Sequence, residues 1–190
     1  MIFFAKIVYW LIHKSRIYST WSKLYRLFYH RKYRKVKLGG PFEPDEILKK
    51  IKTLRWSSDT AKELWDAIGS PHWTQYCINM VAHGNPQPKG ALDCDEFAIW
   101  CASVMSLSHR PKFLNVFWRG SNGLDGHNIC LYSDMDGFYH IGNWGKSNKF
   151  FSVETLVKSI VRLAEEKAIL IGFSIYTYDL KLKECHTNKV

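Results

Sequence analysis

Two alternating runs, GHNICLYS and GFYHIGN, flank Asp134-Met135-Asp136 and constrain the fold of this chain more than any other feature. Successive side chains of a strand point to opposite faces, so such runs bury one face and need a second layer to cover it. The Asp and Gly residues of SDMDGF (133–138) suit a three-residue hairpin loop closed by a glycine bulge, joining strands at 127–133 and 137–143. Further alternating or aromatic-rich runs at 112–118 and 169–180 enlarge the sheet. Upstream, the spacing turns helical. Pro44 opens a helix over 44–55, Ser58 caps one over 59–68, and Ser70-Pro71 starts one over 71–82. Asp93 caps another whose stripe runs Cys94, Phe97, Ala98, Cys101, Met105, and Ser152 caps a last helix over 153–168. Helices first, then an antiparallel sheet with one helix before its final strand, is an α+β order.

Charge divides the chain. Residues 1–38 hold ten Lys or Arg and no acid, while the rest holds 17 basic and 17 acidic residues, so the arm carries the whole net charge of +10. Gly39-Gly40-Pro41 marks the boundary between this basic arm and a neutral domain over 39–190. Within the arm Ile17, Trp21, Leu24, Tyr25 and Phe28 recur at helical spacing, with Arg16, Lys23, Arg26 and His30 opposite. Three uses fit such a helix. It can pack its aromatic stripe on the domain, lie on an anionic membrane surface, or bind nucleic acid.

No apolar stretch reaches the roughly 18 residues of a membrane span. The run MIFFAKIVYWLI is broken by Lys6 and lacks a small-residue cleavage site, so a signal peptide is not expected. Five cysteines, Cys77, Cys94, Cys101, Cys130 and Cys185, form an odd set without paired spacing. That points to a reducing compartment, cytoplasmic or virion-associated, with peripheral membrane attachment open.

Cys94 stands in the first turn of its helix, where unsatisfied N–H groups and the helix dipole favour a thiolate. Asp93, Asp95 and Glu96 oppose ionisation, so a histidine partner is required. His127 opens the first hairpin strand, on one face with Ile129 and Leu131. A loop centred on Met135 sets His127 opposite Asn143, near enough for an amide oxygen to orient the imidazole, whereas a two- or four-residue loop sets Trp144 there. Zinc at Cys94, His127 and Cys130 is disfavoured because alternation sends Cys130 to the other face, and no metal or cofactor is expected. Cys77, Cys101, His140 and His186 read as ordinary packing residues.

Together LDCDEFA, GHNIC and YHIGNWG resemble the transglutaminase-like cysteine peptidases of bacteria and phages, within the papain-like superfamily. The resemblance spans about 55–145, and the cysteine motif is its most specific part. It implies a helix packed on an antiparallel sheet, Cys94 as nucleophile, His127 as general base, and a protein or peptide substrate. The family's Asp-Asn on the following strand is replaced here by Gly142-Asn143, which leaves Asn143 for the orienting role without a negative charge. Gln87, seven residues before Cys94, stands where papain-like enzymes hold an oxyanion-stabilising glutamine. The expected chemistry is hydrolysis of a peptide or other amide bond by attack of the Cys94 thiolate. Acyl transfer to an amine by the same groups, and a catalytically retired binding module held by its basic arm, are the alternatives.

Overall fold

The computed structural model describes residues 2–57, 67–90, 92–143 and 145–187. The expected helix over 59–68, its Ser58 cap and Trp144 lie largely or wholly outside the described residues.

The chain opens with two helices, α1 (Ile2–Lys14) and α2 (Ile17–Phe28). A 3-10 segment, Arg31–Lys35, leads to α3 (Pro44–Ile51), shorter than expected because the chain turns at Lys52. Its start combines Pro44 at the first helical position with a reciprocal cap between Glu43 and Glu46. α4 (Pro71–Ala82) begins at Ser70, whose hydroxyl accepts from His72 N–H, and α5 (Cys94–Val104) begins at Asp93.

Strands β1 (Lys112–Gly120), β2 (Gly123–Asp134), β3 (Gly137–Gly142) and β4 (Gly145–Lys146) follow. Then come α6 (Val153–Ala164), β5 (Ile169–Tyr176) and β6 (Leu182–Thr187). All pair antiparallel in one six-stranded sheet, ordered β4-β3-β2-β1-β5-β6. The α+β class is as expected.

Period-two alternation sorts the sheet residues between two layers. Cys130 and Tyr132 of β2 pack with Phe97, Trp100 and Cys101 of α5. Ile129 and Leu131, one step out of phase, pack with Leu156, Val157 and Ile160 of α6. The sheet therefore has no solvated face along β2.

The arm is not separate from the domain. Tyr9 is 1% exposed against Phe117 and Ile171, and Ile12 and Tyr18 join a cluster with Ala98, Ile99, Phe113 and Tyr176. The Tyr9 hydroxyl lies 3.0 Å from both Asn115 Oδ1 and Ser174 Oγ, and His13 Nδ1 is hydrogen-bonded to the Tyr176 hydroxyl. Of the uses open to the α2 stripe, packing on the domain is not the one observed. Ile17, Trp21, Leu24 and Phe28 face solvent, while Tyr18, Ser19 and Ser22 are buried. Polar groups hold that inner face. Ser22 Oγ accepts from Ile68 N–H, Arg26 Nε donates to Ile68 O, and His30 Nδ1 accepts from Ser70 N–H. The boundary at residue 38 is thus a change of composition and not of packing.

Candidate active site

Cys94 occupies the first position of α5, and the helix starts there because Asp93 and Glu96 cap it reciprocally; Glu96 accepts from Asp93 N–H at 3.1 Å. Asp95 accepts from Gly69 N–H at 2.8 Å. Asp93, Asp95 and Glu96 are all buried, with one carboxylate oxygen each inside a 4.8 Å cluster. These are the carboxylates that could gather round a cation, but backbone N–H groups already engage Glu96 and Asp95. Burial first, and the Asp93 charge second, push Glu96 well above the usual carboxylate range, which favours its neutral form. The Arg26 guanidinium, itself pushed down to about 10 by burial, acts on Asp95 and Glu96 from α2. Both effects lighten the negative charge that the sequence sets around the thiol.

Asn128 meets the thiol. Its Nδ2 donates to Cys94 Sγ at 3.9 Å, and its Oδ1 accepts from Asn115 Nδ2 at 2.8 Å. Asn115 pairs with Asn128 on one side and with Ser174 on the other, so three neighbouring strands carry a polar row across an otherwise apolar face. Tyr9 of α1 joins Asn115 to Ser174 from above. Every member is buried. Unbonded polar groups in such a place cost about 1–3 kcal/mol each, so the row is tolerated because each member bonds the next, and it leaves the Asn128 amide one orientation at Cys94. Sequence reasoning passed over Asn128; the alternation of HNIC, which set it on the face opposite His127, was the signal available.

The hairpin register differs from the expected one. Asp134 pairs with Gly137 and Cys130 with Ile141, so the loop is the two residues Met135-Asp136. This moves the pairing by one position. β3 ends at Gly142, which pairs with Gly145 of β4, so Asn143 lies past the end of the strand and outside the β2–β3 ladder, not opposite His127 as expected. Its Oδ1 is buried and makes no hydrogen bond among the described residues. The position beside His127 is Gly142. A Cβ built there would stand 3.8 Å from His127 Nε2 and 3.2 Å from Ile129 Cγ2.

His127 is buried, and its pKa is pushed down to about 3 by burial first and by His140 second, with Asp93 opposing. At neutral pH the ring is uncharged and can accept a proton, but its conjugate acid has weak support. Asp93 and Cys94 at the start of α5, with His127 of β2 and Gly142 at the end of β3, lie toward one corner, where the Asp93 charge acts on His127; by alternation His127 and the thiol's partner Asn128 point to opposite faces of β2. Beside that corner is a hollow of 160 Å³ lined by Leu48, Ile51, Leu54, Trp56, Phe97, Gly142 and Asn143, with Lys52 and Gly145.

Gln87 is not part of this corner. Its Oε1 accepts from Arg55 N–H at 2.7 Å and its Nε2 donates to Arg55 O at 2.8 Å, clamping two loops along a separate groove of 780 Å³. With both ends of its amide engaged there, the oxyanion role expected for it is withdrawn. The other thiols are poor nucleophiles. Burial pushes Cys77 up to about 12 and raises Cys101, Cys130 and Cys185 as well. Compared with known proteins, the chain matches no family model and no curated protein.

Proposed function

We propose that this protein is a cysteine hydrolase of peptide or other amide bonds, with Cys94 as nucleophile and His127 as general base. The observation that carries the reading is the Cys94 thiol at the first position of α5, under the Asn128 amide. Attack of sulfur on the substrate carbonyl carbon forms a C–S bond, and His127 takes the thiol proton. The carbonyl oxygen becomes an oxyanion that two donors can meet, the Cys94 backbone N–H at the first helical position and Asn128 Nδ2. Collapse breaks the C–N bond, His127 gives its proton to the leaving amine, and water then cleaves the thioester with His127 again accepting the proton. The resemblance to transglutaminase-like cysteine peptidases favours the same assignment. The apolar hollow suits one apolar side chain of the substrate next to the scissile bond.

One observation favours a second reading, a retired fold that binds without turnover: position 142, beside His127 Nε2, offers no carboxylate. Both readings meet in one assay, release of amine from a library of peptides, run with and without an added primary amine. Hydrolysis predicts turnover that Cys94→Ser and His127→Ala each abolish, with acid as the product. Incorporation of the added amine marks a transferase. Saturable peptide binding without turnover, unchanged in Cys94→Ser, would assign the retired module and reject the hydrolase.

A further inference from the structure

The outward faces of the first two helices are chemically unlike the rest of the surface. On α1, Phe3, Phe4, Ile7, Trp10 and Leu11 are exposed, and on α2, Ile17, Trp21, Leu24, Leu27 and Phe28; Phe3 and Phe28 are each more than 70% exposed. Single exposed apolar residues are ordinary, but ten on two consecutive helices form a patch that water disfavours. The core does not need them, because Tyr9, Ile12 and Tyr18 already supply the packing face of these helices.

Basic residues share these two helices and the segment that follows them. Residues 1–38 contain no acid, and Arg26 is the basic residue among the ten that turns inward to the Asp95–Glu96 carboxylates. Lys6, Lys14, Arg16, Lys23, Arg31, Lys32, Arg34, Lys35 and Lys37 remain, and none forms an ion pair with a carboxylate among the described residues.

We infer that α1 and α2 form a docking surface for an anionic lipid bilayer. Tryptophan and phenylalanine beside lysine and arginine match the boundary between acyl chains and headgroups, where the apolar part is buried and the charge stays wet. Helices of 13 and 12 residues are about 18–20 Å long, too short to cross a hydrocarbon core of about 30 Å, so they lie in the interface plane. A nucleic acid would satisfy the cations and leave Phe3, Leu24 and Phe28 in water. The bilayer satisfies both.

The inference does not depend on the hydrolase reading, and its test uses no activity. The full chain is sedimented with vesicles of phosphatidylcholine alone or mixed with phosphatidylglycerol, across a salt series. Anionic vesicles should bind it at least about ten-fold more tightly than neutral ones, with a fraction retained at high salt by the inserted side chains. Trp21→Ser/Phe28→Ser, at exposed positions, should keep the far-ultraviolet circular dichroism and melting temperature of the parent while losing about ten-fold or more in vesicle affinity. Lys14→Gln/Lys23→Gln should lose the preference for anionic lipid and keep the salt-resistant fraction. The inference is overturned if anionic and neutral vesicles bind alike or not at all, if the folded apolar variant binds as well as the parent, if a single-stranded oligonucleotide displaces the protein from the vesicles, or if the chain is a dimer whose dissociation accompanies the Trp21→Ser/Phe28→Ser change.

Discussion

Asn128 and Gly142 decide how the corner around Cys94 works, and they pull in different directions. Asn128 adds an oriented donor at the thiol. Its removal should act on the transition state, so Asn128→Ala is expected to lower kcat about 100-fold with little change in KM, read from steady-state peptide hydrolysis. Asn128→Asp sets a carboxylate against the sulfur and should suppress alkylation of Cys94 as well as turnover. Gly142 removes a carboxylate from His127. A Cβ fits 3.8 Å from Nε2 if Ile129 yields by a few tenths of an ångström, so Gly142→Asp can place an acceptor on the ring. The imidazolium then gains a counter-charge, the His127 pKa rises, and kcat should increase about ten-fold or more while the acid limb of the pH–rate profile moves to higher pH. Asn143→Ala should change turnover little, because Asn143 lies past the end of β3, outside the ladder with β2. A large loss in Asn143→Ala with none in Gly142→Asp would return the orienting role to Asn143.

At the scale of elements, the first two helices carry more of the fold than their composition suggests. The spacing of Ile17, Trp21, Leu24 and Phe28 fits an inward face of α2 as well as one laid on a membrane or a nucleic acid, because periodicity alone does not say what covers a stripe. The buried face instead holds Ser22, Arg26 and His30 on the backbone of residues 68–70, an attachment by hydrogen bonds that a hydrophobic pattern cannot register. Gly69 in turn donates to Asp95 at the start of α5, so α2 is tied through one peptide segment to the helix that bears Cys94. Deleting residues 1–38 should therefore give an unfolded or aggregating chain, seen in circular dichroism and light scattering, and not the stable domain that the charge boundary alone suggests. Tyr9→Phe keeps the ring and removes the bond to the Asn115–Ser174 row, at an expected cost of about 1–3 kcal/mol in urea unfolding. The helix that bears Cys94, the hairpin and α6 are legible because their signals are local: Asp93 and Glu96 three apart, turn residues between alternating runs, Ser152 before an amphipathic stripe. The one-residue register error has a local cause too, since SDMDGF suits a two-residue loop as well as a three-residue one, and only packing of Cys130 and Ile141 under α5 chooses. β6 and the short β4 follow from pairing with strands already in place, which no stretch of their own sequence announces.

Across the whole molecule, acid and base act on the same buried groups that build the site. His13 and His127 are pushed down to about 3, and His30 and His140 to about 4, each chiefly by burial. A histidine kept neutral in the fold binds its proton more readily once unfolded, so stability is present above about pH 6.5 and is lost as the pH falls toward the folded values. His13 and His127 should each cost on the order of 2 kcal/mol by pH 5, and Glu96, pushed up by burial, acts with the opposite sign. Thermal melts between pH 7.5 and about 4.5 should show a falling midpoint that flattens in His13→Phe; a midpoint that rises in acid would contradict the neutral buried histidines. The central claim is that one thiol of five is a nucleophile, and timed iodoacetamide labelling of the native chain at neutral pH, with peptide mapping of every cysteine, tests it most directly. The account predicts that Cys94 is modified first, that His127→Ala slows it, and that Cys77, Cys101 and Cys130 react only on unfolding. Labelling of Cys185 ahead of Cys94, or a Cys94 rate that His127→Ala leaves unchanged, would contradict it.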